Sequence, residues 1–443
     1  MELENRLTEG NVLRRLLTFS IPFLIANIIQ ALYGAVDLMV IGRFCSPESV
    51  AAVSTGTQVT QIITSMVTGL TLGGTIMVGK YTGMGDEEQT KKTVGTTLTI
   101  FAITAGILTI LMLLFTDPIL NALKTPQKAF ALAKQYVMVC SYGIFFTCGY
   151  NGISAILRGY GDSKRPMIFV AIACVLNIIG DIVLVKYARM GVAGVALATI
   201  SAQAVSMLSA ILYLNKKKFI FTFQLKNFRI DRERARELAS VGIPISLQEC
   251  MVRLSFLYLT SVTNRLGVHA AAAVGIASKY DVFAMLPATS IASALAAITA
   301  QNYGAGKPRR ARISLAAGMG FAVLASSFFW LWAQISPETM IGIFTKDREI
   351  IQAGIPFFRS CSYDYLAVSF VFCLNGYLNG CSRTIFTMVS VCFGALVLRM
   401  PFIYLTFTHC PDNLLIIGAI APAVSGLMAV YTFFYVIYLI KNT

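Results

Sequence analysis

The chain has 443 residues, of which 56% are hydrophobic and 13% charged, and it carries a net charge of +15. A soluble globule carries about 25% charged residues, so composition excludes one and points to a chain that faces lipid. The basic surplus would suit a nucleic-acid partner, but the placement of those charges argues against one.

An apolar run of about 20 residues is long enough to cross a bilayer core of roughly 30 Å. Twelve such runs follow in order, at 15–42, 50–78, 94–116, 131–157, 166–186, 192–214, 237–263, 271–303, 312–336, 349–380, 385–408 and 413–440. They are continuous and not alternating, which excludes a β-barrel. Several exceed the minimum length, so tilt or extension beyond the bilayer is expected. The first run is too long for a cleaved signal peptide, and no small-residue cleavage pattern follows it. The expected fold is an all-α integral membrane protein with twelve transmembrane helices.

With both termini placed in the cytoplasm, 23 of the 36 Lys and Arg fall in inside segments. That is the positive-inside bias, and it sets the orientation. The basic loop at 215–236, with Lys216, Lys217 and Lys218, then lies near anionic lipid. Of ten cysteines, Cys45 and Cys410 alone sit in outside loops, where a disulfide could join them. There is no CxxC pair and no metal-ligand spacing.

The second half repeats the first at an offset of about 221 residues. Cys140-Ser141-Tyr142 recurs as Cys361-Ser362-Tyr363, Gly83-Met84-Gly85 as Gly304-Ala305-Gly306, and Ile21-Pro22 as Ile243-Pro244. Each copy holds six spans, an even number, so both copies enter the membrane with the same orientation. The expected domains are a six-helix lobe at 1–214, the basic linker at 215–236 and a second lobe at 237–443. Parallel lobes of this kind are related by a pseudo-two-fold along the membrane normal, with a substrate path at their interface. Rocking one against the other gives alternating access, which marks a transporter.

Charges inside spans are costly and mark ion or substrate pathways. The first lobe has two acidic ones, Asp37 in the first span and Asp181 in the fifth. Asn177 precedes Asp181 by one helical turn on the same face, and Thr199 lies in the sixth span. Two carboxylates, an amide oxygen and a hydroxyl form a hard donor set that suits sodium. The same pair could hold a proton instead, since two nearby carboxylates do not both ionise easily in low dielectric. At the repeat offset Asp37, Asn177 and Asp181 become Tyr258, Leu398 and Phe402, and after a three-residue shift Thr199 becomes Ala423, so the second lobe lacks the set. A bundle-holding role would have kept both copies, which favours ion coupling over a structural network.

The second lobe carries Glu249, Arg253, Lys279, Asp281, Arg359, Asp364 and Arg399, with both signs present. Internal pairing is expected, for instance of Glu249 with Arg253 along one helix. Gln58, Tyr142, Glu249, Lys279 and Asp364 are the substrate-cavity candidates. Pro22 and Pro244, each inside the first span of its lobe, are the hinge candidates, because proline removes a helix hydrogen bond and favours a kink. No G-x-x-x-x-G-K-[ST] loop is present, so no nucleotide-driven pump is indicated. His269 and His409 are the only histidines, which excludes an intramembrane H-E-x-x-H protease. No cofactor and no enzymatic activity are expected, and no filter-like loop indicates a channel.

Twelve spans in two six-helix lobes resemble the multidrug and toxic compound extrusion (MATE) transporters over essentially the whole chain. Val36-Asp37-x-x-Val40-x-Gly42 is similar to the family's acidic first-span motif. Asn177-x-x-x-Asp181 followed by Gly191-x-x-Gly194-x-Ala196-x-Ala198-Thr199 looks like its fifth and sixth spans. With Pro22 ahead of Asp37, the DinF-like branch is the nearest resemblance. The NorM-like branch has acids in its seventh and tenth spans, where this chain looks to have Val252 and Val368. The resemblance implies a monomeric antiporter of the cell (inner or plasma) membrane. In it, inward proton or sodium flow drives export of cationic or amphipathic organic compounds. It assigns ion coupling to Asp37, Asn177, Asp181 and Thr199. The alternatives are a flippase for a lipid-linked precursor and a non-transporting membrane scaffold.

Overall fold

The computed structural model describes residues 7–216, 221, 227–263, 268–410 and 413–442, and among them it contains helices and no strand. In chain order the helices are α1 (Val12–Phe44), α2 (Pro47–Met84), α3 (Glu87–Ala122), α4 (Gln127–Tyr142), α5 (Ile144–Gly159), α6 (Lys164–Asp181) and α7 (Gly191–Lys216). There follow α8 (Arg232–Thr263), α9 (Val268–Gly304), α10 (Pro308–Ile335), α11 (Pro337–Gly342), α12 (Arg348–Cys361), α13 (Tyr363–Gly380), α14 (Thr384–Cys392), α15 (Met400–His409) and α16 (Leu414–Lys441). Two π-helical stretches interrupt the series, Ile182–Tyr187 after α6 and Phe393–Arg399 between α14 and α15.

Every one of the twelve apolar runs falls on a helix or a consecutive helix set. Among the described residues nine helical segments are long and apolar enough to cross a membrane, and the pair α4–α5, bent by 45°, makes a tenth. The other two runs, 237–263 and 349–380, lie on α8 and on α12–α13. Those elements carry Glu249, Arg253, Arg359 and Asp364, and these charges lower their hydropathy. Boundaries follow local chemistry. Ser46 caps α2 through the Ser49 N–H with Pro47 in the first turn, and Gly85, at φ 73°, closes the helix in the left-handed region. Asp86 then caps α3 by accepting from the Gln89 N–H at 2.9 Å.

The helices fall into two compact units. One is built on Ile21–Ser246, the other on Thr8–Ser20 with Leu247–Thr443. The repeat and the packing are therefore different divisions of one chain. The change of unit comes within α1 just before Pro22, and within α8 just after Pro244.

In the first unit α2 packs on α4 and α5, and α6 on α7. Val78, Leu98, Ile153, Leu157 and Phe169 are among its buried core. The first half of α8 belongs here. A Cβ on Gly69 would sit 2.3 Å from the Ser246 nitrogen, so only glycine admits this approach. Glu237 of α8 accepts from Lys80 at 3.3 Å, from the Tyr81 hydroxyl at 2.6 Å and from Arg234 at 2.5 Å. In the second unit α9 packs on α13 and α10, and α16 on α12 and α13. Its core includes Val274, Tyr280, Phe358 and Ile417. The chain ahead of α1 is held here. Lys307 donates to the Thr8 carbonyl at 3.2 Å, and Arg310 donates to the Gly10 and Glu9 carbonyls at 2.6 and 2.8 Å. All ten cysteines are free thiols, Cys45 and Cys410 included.

Candidate functional site

Three helices of the first unit bring the predicted oxygen set together. Asp37 comes from α1, Asn177 and Asp181 from α6, and Thr199 from α7. Asp37 faces Asp181, Asn177 and Thr199. Asn177 and Asp181 are fully buried and Asp37 is 5% exposed. Asn177 Nδ2 donates to Thr199 Oγ1 at 3.5 Å. Among the described residues, Asp37 Oδ1, Asn177 Oδ1 and both carboxylate oxygens of Asp181 accept no hydrogen bond from the protein. Buried polar atoms ordinarily have partners. Four such oxygens lie together in one cluster. The donors are two carboxylates, an amide and a hydroxyl, a set that fits a proton or a hard cation. The π-helical stretch that begins at Ile182 follows directly on Asp181. Such stretches are frequent at functional sites.

Asp37 also opens onto a cavity of about 300 Å3 lined by α1, α2 and α4–α7. Asp37 is the single charged residue among its described lining side chains. The rest of the wall is largely neutral and polar, with Thr57, Thr60, Thr64 and Thr68 on α2 and Gln203 and Ser206 on α7. Tyr136 reaches in from α4, its hydroxyl 3.5 Å from Thr57 Oγ1.

The other candidates lie elsewhere. Gln58 is exposed, and the cavity takes its neighbour Thr57. Tyr142 is 60% exposed, and the cavity takes its neighbour Ser141. Pro22 and Pro244 are buried within helices that continue unbroken through them.

Asp364, Glu249 and Lys279 belong to the second unit. Asp364 is buried, and its Oδ2 accepts from Arg399 at 3.4 Å. The Arg399 guanidinium also lies over the Phe256 ring, 5.1 Å from its centroid. Asp281 of α9 stands near Asp364, Arg399 and Tyr365. Glu249 is half-buried beside Arg253, and Lys279 is exposed. The sequence reading did not single out the α2 threonines, Tyr136 or Gln203. The signal was there in Thr57, Thr60, Thr64 and Thr68, a hydroxyl stripe at helical spacing on an apolar helix.

A family model described as MatE matches residues 22–183 and again 244–405, so each half of the chain matches once, starting at Pro22 and Pro244. The probable multidrug resistance protein YpnP of Bacillus subtilis is 27% identical over 405 residues, covering 89% of this chain and 88% of that protein. The FAD transporter of Shewanella oneidensis is 25% identical over 380 residues, covering 82% of each. A crystal structure of a MATE protein in a bent conformation superposes with a TM-score of 0.93 at 23% identity, covering 98% of this chain and 97% of that one. The fold shared with such structures is an all-α membrane bundle of two six-helix lobes.

Proposed function

The chain belongs to the MatE family, whose members are membrane transporters and not enzymes, and from that premise we propose that it is an antiporter exporting cationic or amphipathic organic compounds. Inward flow of protons or sodium drives the export, through alternating access. The observation that carries this reading is the double membership of Asp37. It lines the cavity, and it belongs to the buried cluster with Asn177, Asp181 and Thr199.

A carboxylate shared by two sites makes their occupants compete. With an organic cation at Asp37, the cluster needs no second positive charge. With a proton or sodium ion on the Asp37–Asp181 pair, the attraction that held the organic cation is gone. Linkage makes this reciprocal, since each ligand weakens the other by the same factor. Alternating exposure of such a site turns competition into exchange. Pro22 is the proposed hinge in the first repeat and Pro244 its counterpart in the second.

The cavity chemistry weighs against the neighbouring functions. A flippase for a lipid-linked precursor, or a carrier of a dianionic flavin dinucleotide such as its Shewanella relative's name implies, needs basic groups for phosphate. Among the described residues no Lys, Arg or His lines this cavity. A non-transporting scaffold has no use for buried carboxylate oxygens without donors. The proposed setting is the cell membrane, both termini cytoplasmic and the basic 215–236 segment near anionic lipid. The proposed state is a monomer that engages small organic cations and no nucleic acid.

The test is export of a cationic dye from proteoliposomes, with a proton gradient and a sodium gradient imposed separately. Gradient-driven dye movement with one of them is expected, and names the coupling ion. Dye movement indifferent to both gradients sinks the antiport reading.

A further inference from the structure

The wall of the first-unit cavity has a hydrogen-bond polarity that goes beyond its charge. A hydroxyl has one proton and two lone pairs. In Thr60, Thr64 and Thr68 that proton is engaged by the helix itself. They donate to the carbonyls of Thr57, Thr60 and Thr64 at 3.0, 3.0 and 2.8 Å. Ser141 and Thr147 do the same to Val137 and Gly143 at 2.6 and 3.4 Å, and Ser206 donates to Phe169 at 3.1 Å. The Asn151 amide donates to the Thr147 carbonyl at 2.9 Å, which frees its carbonyl oxygen for a ligand. Tyr150, whose ring also lines the cavity, gives its proton to the Pro166 carbonyl at 2.9 Å. A group that has already donated meets a ligand as an acceptor. Gln30, Gln61 and Gln203 complete the polar lining, and an amide can turn either end inward.

The aromatic content points the same way. Quaternary ammonium groups are held by aromatic cages. Among the described lining residues the aromatics are Tyr136 and Tyr150, with no Phe or Trp.

We infer that this cavity selects organic cations that carry several N–H donors, such as guanidinium, amidinium or primary ammonium compounds, over quaternary cations of the same size. The inference rests on the exporter reading above and names the substrate class of that site. Both kinds of cation satisfy the charge of Asp37. The donor-rich cation also satisfies the oxygens around it, whereas the quaternary one strips water from those oxygens and returns nothing. Unpaired polar groups in a binding site are the strongest source of discrimination between ligands of similar size.

The experiment is calorimetric binding of phenylguanidinium and phenyltrimethylammonium to the purified full-length protein, to Asp37→Asn, and to the double variant Thr64→Val with Ser206→Ala. The expected result is phenylguanidinium binding about tenfold tighter, the difference of one good hydrogen bond or more. Binding of both is lost in Asp37→Asn, and the preference shrinks in the double variant. The wild-type comparison alone decides the matter if the double variant does not fold. Equal affinities, or a preference for phenyltrimethylammonium, with both lost in Asp37→Asn, overturn the donor selectivity and leave the exporter reading intact. Absence of Asp37-dependent binding of either probe overturns both.

Discussion

The two lobes handle intramembrane charge in opposite ways. In the first, Asp37 and Asp181 face each other with an amide and a hydroxyl, and among the described residues no basic side chain is paired with them. In the second, Asp364 has Arg399 at 3.4 Å, and Asp281 stands in the same neighbourhood. An acid neutralised by a resident arginine has no need of a visiting cation. An acid pair without such a partner would gain from a cation, which is the basis of the proposed coupling role. The comparison teaches that two halves matching one family model differ in charge: the first lobe's acids face each other, whereas the second lobe's Asp281 and Asp364 share Arg399. The π-helical stretches lie beside both charge clusters. One begins just after Asp181, and the other ends on Arg399.

The sharpest way to break this comparison is to neutralise the first lobe. Asp37→Asn and Asp181→Asn are each expected to reduce gradient-driven dye export to background, with normal expression and monodisperse purification. Normal export by both purified variants in liposomes would remove the coupling role. The next effect is on stability. Arg399→Gln leaves Asp364 buried without its partner, and breaking a buried pair costs roughly 3 kcal/mol. Thermal unfolding in detergent should show a clear loss for Arg399→Gln, recovered in large part when Asp364→Asn is added. Unchanged stability with lost coupling would make the second lobe a working ion site instead of a fixed one.

A smaller effect is expected at the prolines. Replacing Pro22 with Ala restores a helix hydrogen bond and stiffens α1 where the chain passes from one compact unit to the other. Transport should slow by roughly threefold in Pro22→Ala, with the affinity for the coupling ion unchanged, as for a step that gates access and not chemistry. Equal rates in Pro22→Ala and wild type would remove the hinge role of Pro22.

Much of this was legible before any fold was known, for definite reasons. Lipid penalises charge, so Asp37 and Asp181 stood out in apolar runs, and the missing counterparts at Tyr258 and Phe402 marked the asymmetry. The runs on α8 and α12–α13 were visible despite their charges because the flanking residues stay apolar. The α2 threonines were passed over because hydroxyls bonding their own helix are ordinary in apolar helices, and spacing does not say which stripe faces a cavity. Gln58 and Tyr142 were one residue away from the lining positions Thr57 and Ser141, a rotation of about 100° around a helix. Spacing brought Glu249 and Arg253 together but was silent on Arg399 and Asp364, 35 residues apart in the chain and 3.4 Å apart in the fold. Nor does a repeat register reveal that Thr8–Ser20 packs in the second unit and the first half of α8 in the first. Homology between halves and packing between helices are separate properties.

Glu249 gives the finest test of the comparison. It is half-buried on α8 within reach of Arg253, so its charge already has a partner on its own helix. If coupling belongs to the first lobe, Glu249→Gln removes one member of a local pair and leaves the Asp37 cluster whole. Partial transport is therefore expected, with the same coupling-ion dependence as wild type, in proteoliposomes carrying each gradient in turn. Complete loss at normal expression would mean that the second lobe also exchanges an ion, and that Arg253 does not stand in for one. A shift in ion dependence without loss would make Glu249 a contributor to coupling, and the asymmetry would then be one of degree.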